Sequence, residues 1–152
     1  MKLKSFTVEN TWLEYSPHGW GNGYVAVPPK HPLHGMDYDK IVKVKDENSI
    51  KFNENWIGLL CHSIGDRTEG EIPLNLAINV HGGITLARAP KDMKYVPSCI
   101  PSDWWVFGFD TCHADDDILS WPKERVRSET KKFKRELENI DKILALNINY
   151  NI

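Results

Sequence analysis

The chain has 152 residues, of which 41% are hydrophobic and 11% aromatic, and its formal net charge is −2. This length permits one well-buried core and therefore a single domain over residues 1–152, while the charge excludes a strongly basic protein that binds double-stranded nucleic acid through its phosphates. No apolar stretch approaches the roughly 20 residues that span a bilayer, and no apolar signal region follows the N-terminus, which favours a cytoplasmic protein with no membrane partner.

The N-terminal part of the sequence predicts short strands separated by turns. Residues 5–15 alternate loosely between apolar and polar, as in a strand or hairpin. Residues 22–28 begin with a turn-forming Asn-Gly step and continue as a β-rich run that ends at two prolines, which predicts a strand. Residues 30–40 contain two histidines among turn-forming residues and predict a polar loop, and residues 41–44 predict a short edge strand.

The C-terminal part predicts further strands and then a helix. Residues 74–80 and 84–87 predict two strands joined by a turn or bulge at Gly82 and Gly83. Residues 104–110 are apolar on both faces, as in a central strand. Beyond Pro122, apolar residues recur every three or four positions and predict one helix of about six turns. We therefore expect an α+β fold, an antiparallel-rich sheet packed by a long C-terminal helix.

Two polar segments follow apolar runs of the predicted sheet, where a rigid scaffold can present side chains to a ligand. One contains His81, and the other contains Asp110 and His113. These three residues are the candidate catalytic residues. Asp110 would orient the imidazole of His113, and the two histidines would share acid–base work on a phosphodiester.

The glycines after His81 predict a place where backbone N–H groups approach an anionic ligand closely. The backbone of Gly82 and Gly83 and the hydroxyl of Thr85 would hold a phosphate of a small nucleotide. A second wall of the site is predicted from aromatic and imidazole side chains, among which a base could stack. The other candidate ligand-binding residues are Tyr24, His31, His34 and Asp116.

The same side-chain atoms could instead bind a divalent metal ion. His81, Asp110, His113 and one aspartate among residues 115–117 supply nitrogen and oxygen ligands that suit zinc, manganese or a harder ion. Their spacing matches no diagnostic metal motif, so no metal ligand is assigned and the cofactor stays open.

A combination of segments resembles a family of small proteins from tailed bacteriophages and their hosts. The segments are residues 23–28, 31–35, 80–85 and 104–110, with His113 and Asp116. They cover roughly residues 20–140 in the family's order and include its His-Gly-Gly-Ile-Thr and Gly-Phe-Asp-x-x-His motifs. The chain departs from the pattern at Asp115, where the family has glycine before the last aspartate. Small phage proteins often counter bacterial defence, so the resemblance implies a nucleotide immune signal as ligand and the host cytoplasm as location.

Three functions agree with these patterns. The first is phosphodiesterase-like hydrolysis of a small nucleotide signal by the paired histidines. The second is a non-catalytic nucleotide-binding module that sequesters the signal, and it requires much the same pocket as the first. The third is a protein inhibitor that acts through surface contacts of tryptophan and tyrosine residues. A homo-oligomer is compatible with each of them.

Overall fold

The computed structural model describes residues 2–11, 17–45 and 70–145. Their elements in chain order are β1 (Lys4–Glu9), β2 (Gly21–Val27), β3 (Ile41–Lys43), β4 (Glu71–Pro73), α1 (Leu74–Ala77), β5 (Leu86–Arg88), a 3-10 turn (Pro90–Asp92), β6 (Trp105–Phe109), α2 (Lys123–Glu138) and α3 (Ile140–Ile143). No helix within these ranges is long and apolar enough to cross a membrane.

The main sheet is antiparallel and has the strand order β1-β2-β6-β5. Its centre is the pair β2 and β6, in which Val25 lies opposite Phe107 and both side chains are fully buried. The strands predicted over residues 22–28 and 104–110 are therefore confirmed. β3 and β4 form a separate two-stranded sheet, which confirms the short strand predicted near residues 41–44.

Helix α2 packs its apolar stripe against one face of the main sheet. Val126, Phe133 and Leu137 are fully buried, and the Phe133 ring meets that of Phe109 edge to face at 6.1 Å. The chain thus has the α+β fold predicted from the sequence, with an antiparallel sheet covered by a C-terminal helix.

The predicted helix of six turns is wrong at its C-terminal end. Helix α2 ends at Glu138, because Asn139 leaves helical geometry (φ −108°, ψ 29°) and its side-chain amide donates to the Arg135 carbonyl at 2.8 Å. A separate short helix, α3, follows. Ile140 and Leu144 are nevertheless buried, so the apolar spacing continues through a break in the backbone.

Two of the predicted strands differ from the structure. Residues 74–80 are not a strand, since the chain enters α1 directly after Pro73, and a short apolar run does not distinguish a buried helical turn from a strand. The strand predicted over residues 84–87 begins two residues later, at Leu86. In the predicted segment 5–15, β1 ends at Glu9, and residues 12–16 lie outside the described residues.

The other face of the main sheet carries a second, smaller apolar cluster. Successive strand residues point to opposite faces, so Ala26 and Val106 pack away from α2, together with Ile100 from the connection between β5 and β6. Phe6 and Tyr24 lie on this face as well, with their rings stacked at 4.9 Å. Both faces of the central strands are therefore covered.

The predicted ligand-binding residue His31 connects the loop after β2 to the end of α2. Its Nε2 donates to the Leu137 carbonyl at 2.8 Å, and its Nδ1 accepts the Leu33 N–H at 3.2 Å. The residue is buried, with 3% of its surface exposed. Both ring nitrogens are used within the protein, and the neutral imidazole is the form that both bonds require.

We expect His31 to make stability depend on pH. Burial lowers the pKa of His31 below its ordinary value of 6.5, against the opposing effect of the Leu137 carbonyl. The unfolded chain then binds the proton more readily than the folded chain, so unfolding free energy should fall as pH drops below 6.5. His31→Ala should cost about 1–3 kcal/mol at neutral pH and should flatten this fall. Urea unfolding between pH 5 and 8 measures both, and parallel curves for the two proteins would contradict the assignment.

The buried stripe of α2 gives a second test. Phe133→Ala and Leu137→Ala should each lower the free energy of unfolding by about 2–5 kcal/mol, because each leaves a cavity between helix and sheet. Lys131→Ala is the matched control on the same helix, since Lys131 is exposed, and it should change stability by less than about 0.5 kcal/mol. Similar losses in all three variants would contradict the helix orientation.

Candidate functional site

The candidate site lies where β6 ends and α2 begins. The chain leaves β6 after Phe109 and turns through residues 110–116, beside the loop that contains His81. Helix α2 holds this loop, because the Glu129 carboxylate accepts the His81 backbone N–H at 3.1 Å. Three segments that are distant in sequence thus meet here.

The Asp116 carboxylate joins both candidate histidines. His81 Nε2 lies 2.9 and 3.0 Å from its two oxygens, and His113 Nδ1 lies 2.6 Å from Oδ2. The His113 backbone N–H donates to Oδ2 as well, at 3.0 Å. The two imidazole rings are 4.8 Å apart and almost perpendicular. The side chains of His81 and His113 therefore lie close enough together to contact one ligand.

The charge on Asp116 determines which nitrogen of each neighbouring imidazole carries a proton directed at it. Burial alone would raise the pKa of Asp116, but the hydrogen bonds from His81 and His113 outweigh burial and hold the pKa below its usual value. The carboxylate is therefore ionised at neutral pH and accepts N–H from both rings. In a neutral His113 the Nε2 atom then carries the lone pair. The His113 side chain is 37% exposed, so its ring is partly open to solvent, while Nε2 itself lies beside Gly82 and 3.7 Å from Asp110 Oδ1.

Trp121 and Glu129 complete the support of His81, and sequence reasoning did not single out either. The Trp121 ring lies 3.9 Å from the His81 ring, and the Arg125 guanidinium is 3.9 Å from the Trp121 ring centre. Glu129 also pairs with Lys132 at 2.9 Å. A glutamate among alternating charges on a helix is expected to form only a solvated ion pair, and nothing in the sequence links Trp121 to His81.

Asp110 does not orient His113 as predicted. Its Oδ1 is 3.7 Å from His113 Nε2, which is beyond hydrogen-bond distance. The Asp110 carboxylate instead accepts the Thr85 hydroxyl and the Cys112 backbone N–H, both at 3.0 Å. Both aspartates lie three residues from His113. The turn closes on the Asp116 side, where the Asp116 N–H donates to the His113 carbonyl at 2.9 Å.

The predicted phosphate cradle is only partly formed. Gly82 and Gly83 make the expected turn, with φ of +69° and +81°. The Gly83 N–H, however, donates to the Val80 carbonyl at 2.9 Å and does not point to a ligand. The role of Gly82 is steric, because a Cβ there would overlap the ring of His113. The Thr85 hydroxyl is directed to Asp110 rather than to open space.

The other predicted ligand-binding residues do not join the cluster. His31 is bonded to the C-terminal turn of α2, about two helical turns beyond Glu129. His34 Nε2 contacts the Asp103 carbonyl at 2.7 Å, close to the start of β6 rather than its end. Tyr24 stacks on Phe6 on the sheet face away from α2, where burial raises its pKa. Asp116 is thus the member of this group that meets the histidines.

His81, His113 and Asp116 could also hold a metal ion. One ligand atom from each lies within 4.8 Å of the other two, and this is the group of that kind found within the described ranges. Nitrogen and carboxylate donors suit zinc. The two N–H protons that now point at Asp116 would have to leave or turn away. Asp115 and Asp117, which the sequence offered as alternative ligands, are exposed.

Gly82 provides a test of how tightly the cluster is packed. Gly82→Ala and Gly35→Ala place a side chain at the same left-handed geometry, φ +69° and +78°, but a Cβ at position 35 has open space around it. Both should lose about 1–2 kcal/mol for a left-handed alanine. Gly82→Ala should lose more and should move the His113 ring. Urea unfolding and imidazole NMR signals measure these effects, and equal losses with unchanged His113 signals would disprove the contact.

Comparisons with protein-family models, curated proteins and solved structures found no match to this chain. The likeness to bacteriophage proteins remains an expectation from the sequence. The chemistry open to the site follows from the contacts of its own residues, above all from Asp116.

Proposed function

We propose that the chain is a hydrolase of a small nucleotide phosphodiester, in which His113 is the general base and Asp116 orients it. One observation carries this proposal. The ionised Asp116 accepts Nδ1–H of His113 at 2.6 Å, and this bond leaves the lone pair of a partly exposed ring on Nε2, where a proton can be accepted. A carboxylate that fixes the tautomer and direction of a histidine is a recurrent arrangement for proton transfer.

The proposed reaction needs one water molecule. His113 Nε2 would take a proton from the water as its oxygen bonds to phosphorus. The P–O bond to the leaving group would then break, and His113 would return the proton to the leaving oxygen. His81 is assigned a positioning role, because it is buried, stacked on Trp121 and bonded to Asp116. The paired acid–base work predicted for both histidines is thus assigned to His113 alone.

The charge of the cluster restricts the substrate. Asp110 and Asp116 both lie near His113, so a phosphate anion approaching Nε2 would meet unfavourable carboxylate charge. A divalent cation that accompanies the nucleotide would offset this repulsion, and of these two carboxylates the partly exposed Asp110 is the more open to it. We therefore include a Mg²⁺-bound nucleotide in the proposed substrate class.

Turnover by His113 can be measured directly. Purified protein is incubated with cyclic and linear nucleotides, with Mg²⁺ and with a chelator, and the supernatant and heat-released ligand are analysed by mass spectrometry. His113→Gln should reduce turnover by about 10²–10⁴-fold, with a melting temperature within a few degrees of wild type. His34→Gln is the matched control, since His34 contacts Asp103 away from the cluster, and it should retain turnover.

Three outcomes would contradict the catalytic role proposed for His113. Wild-type protein that binds a nucleotide and returns it intact would instead support the sequestering module. Equal turnover by wild type and His113→Gln would remove His113 from the mechanism. A parallel loss of activity and of bound metal in His81→Ala and His113→Ala, measured by elemental analysis, would assign the same atoms to a metal site.

A further inference from the structure

A cleft of about 350 Å³ lies on the sheet face away from α2. The ends of β1 and β2, the strand β5 and the loop after the 3-10 turn enclose it. Its size is within the range of small-molecule sites in proteins. The residues that give it chemical character are Tyr24, Leu86, Arg88, Met93, Lys94 and Tyr95. None of them belongs to the cluster around Asp116.

The floor of the cleft is flat and partly aromatic. Tyr24 lies opposite Gly108 in the sheet, and Gly108 lies opposite Leu86 on its other side. A side chain at Gly108 would overlap the Tyr24 ring, so the ring rests on the bare backbone of β6. Phe6 holds the same ring from a stacking distance of 4.9 Å. A ring fixed in this way costs little entropy when a ligand stacks on or beside it.

An exposed aromatic ring and an apolar side chain stand above this floor. Tyr95 is 58% exposed, so much of its ring is open to contact with a ligand. Met93 is half-buried beside it and offers an adaptable apolar contact. Together with Leu86 these side chains provide surfaces that suit a planar ring.

The same cleft carries positive charge. Arg88 and Lys94 line it and are exposed, and neither takes part in the ion pairs found among the described residues. Glu9 is the acidic residue in the lining. Two cations against one carboxylate favour an anionic group, and guanidinium and ammonium groups both bind phosphate or carboxylate well.

We propose that this cleft is a second binding site, for a small ligand that combines a planar heteroaromatic ring with a phosphate or other anionic group. The ring lies against Tyr24, Leu86 and Tyr95, and the anion contacts Arg88 and Lys94. This site does not require turnover and is independent of the proposed chemistry of His113.

Calorimetric titration with three probes tests separately whether the cleft binds the aromatic ring and the anionic group of the proposed ligand. Adenosine 5′-monophosphate should bind at least tenfold more tightly than either adenosine or inorganic phosphate, and its affinity should fall as salt concentration rises. Arg88→Glu and Lys94→Glu should each weaken binding of the monophosphate by at least tenfold. Tyr95→Ala should weaken binding of adenosine and of its monophosphate alike.

Two control variants distinguish this cleft from the Asp116 cluster. Lys91→Glu reverses an exposed charge in the neighbouring 3-10 turn that does not line the cleft, and it should leave affinity unchanged. His113→Gln should also leave it unchanged. The proposal is overturned if the monophosphate does not bind, or if Arg88→Glu and Lys94→Glu bind it as wild type does. It is also overturned if affinity is lost in His113→Gln alone, which would locate the ligand at the cluster.

Discussion

A buried carboxylate sets the geometry around which this chain is organised. Asp116 is 3% exposed, and its charge is stabilised by N–H groups of His81 and His113. An unpaired charge in this position would be strongly destabilising, so the loop of His81 and the turn of His113 must reach it together. Glu129 adds α2 to the same network through the His81 backbone. The need to pair the buried charge of Asp116 therefore also fixes the positions of His81 and His113 in the site.

Residues of strand β6 contribute to two chemically different surfaces, one on each face of the main sheet. Phe107 and Phe109 point towards α2 and are buried in the larger core. Gly108, between them, faces the other way and leaves room for the Tyr24 ring. Asp110 follows the last residue of the strand and lies near His113. One five-residue strand thus supports the core, the cleft and the site in succession, because alternate residues of a strand point to opposite faces.

The sequence predicted the elements that depend on long, regular patterns. The apolar run 104–110 and the spacing around Phe133 identified the central strand and the helix that covers it. The sequence also singled out His81 and His113 as polar residues after apolar runs, although the run before His81 is not a strand. These features depend on local composition and periodicity, which a single sequence displays directly.

Other features depend on contacts that no local pattern encodes. Asp110 and Asp116 are equally spaced from His113, and only the direction of the turn decides which one the imidazole meets. His31 sits in a polar loop, yet it bonds to a carbonyl 106 residues later. The cleft is lined by residues of β1, β2 and β5, and β5 is distant in the chain from the other two strands. Tertiary structure decides all three.

The order of the strands has a consequence for synthesis on the ribosome. β6 lies between β2 and β5 in the sheet, although it comes last in the chain among the four sheet strands within the described residues. Until residue 109 has left the ribosome, the edges of β2 and β5 that pair with β6 have no hydrogen-bonding partner. The apolar side chains of β2 cannot yet pack in a complete sheet. Unpaired strand edges and exposed apolar surface promote aggregation. The nascent chain therefore depends on delayed folding, with the central strand inserted after both of its neighbours have been synthesised.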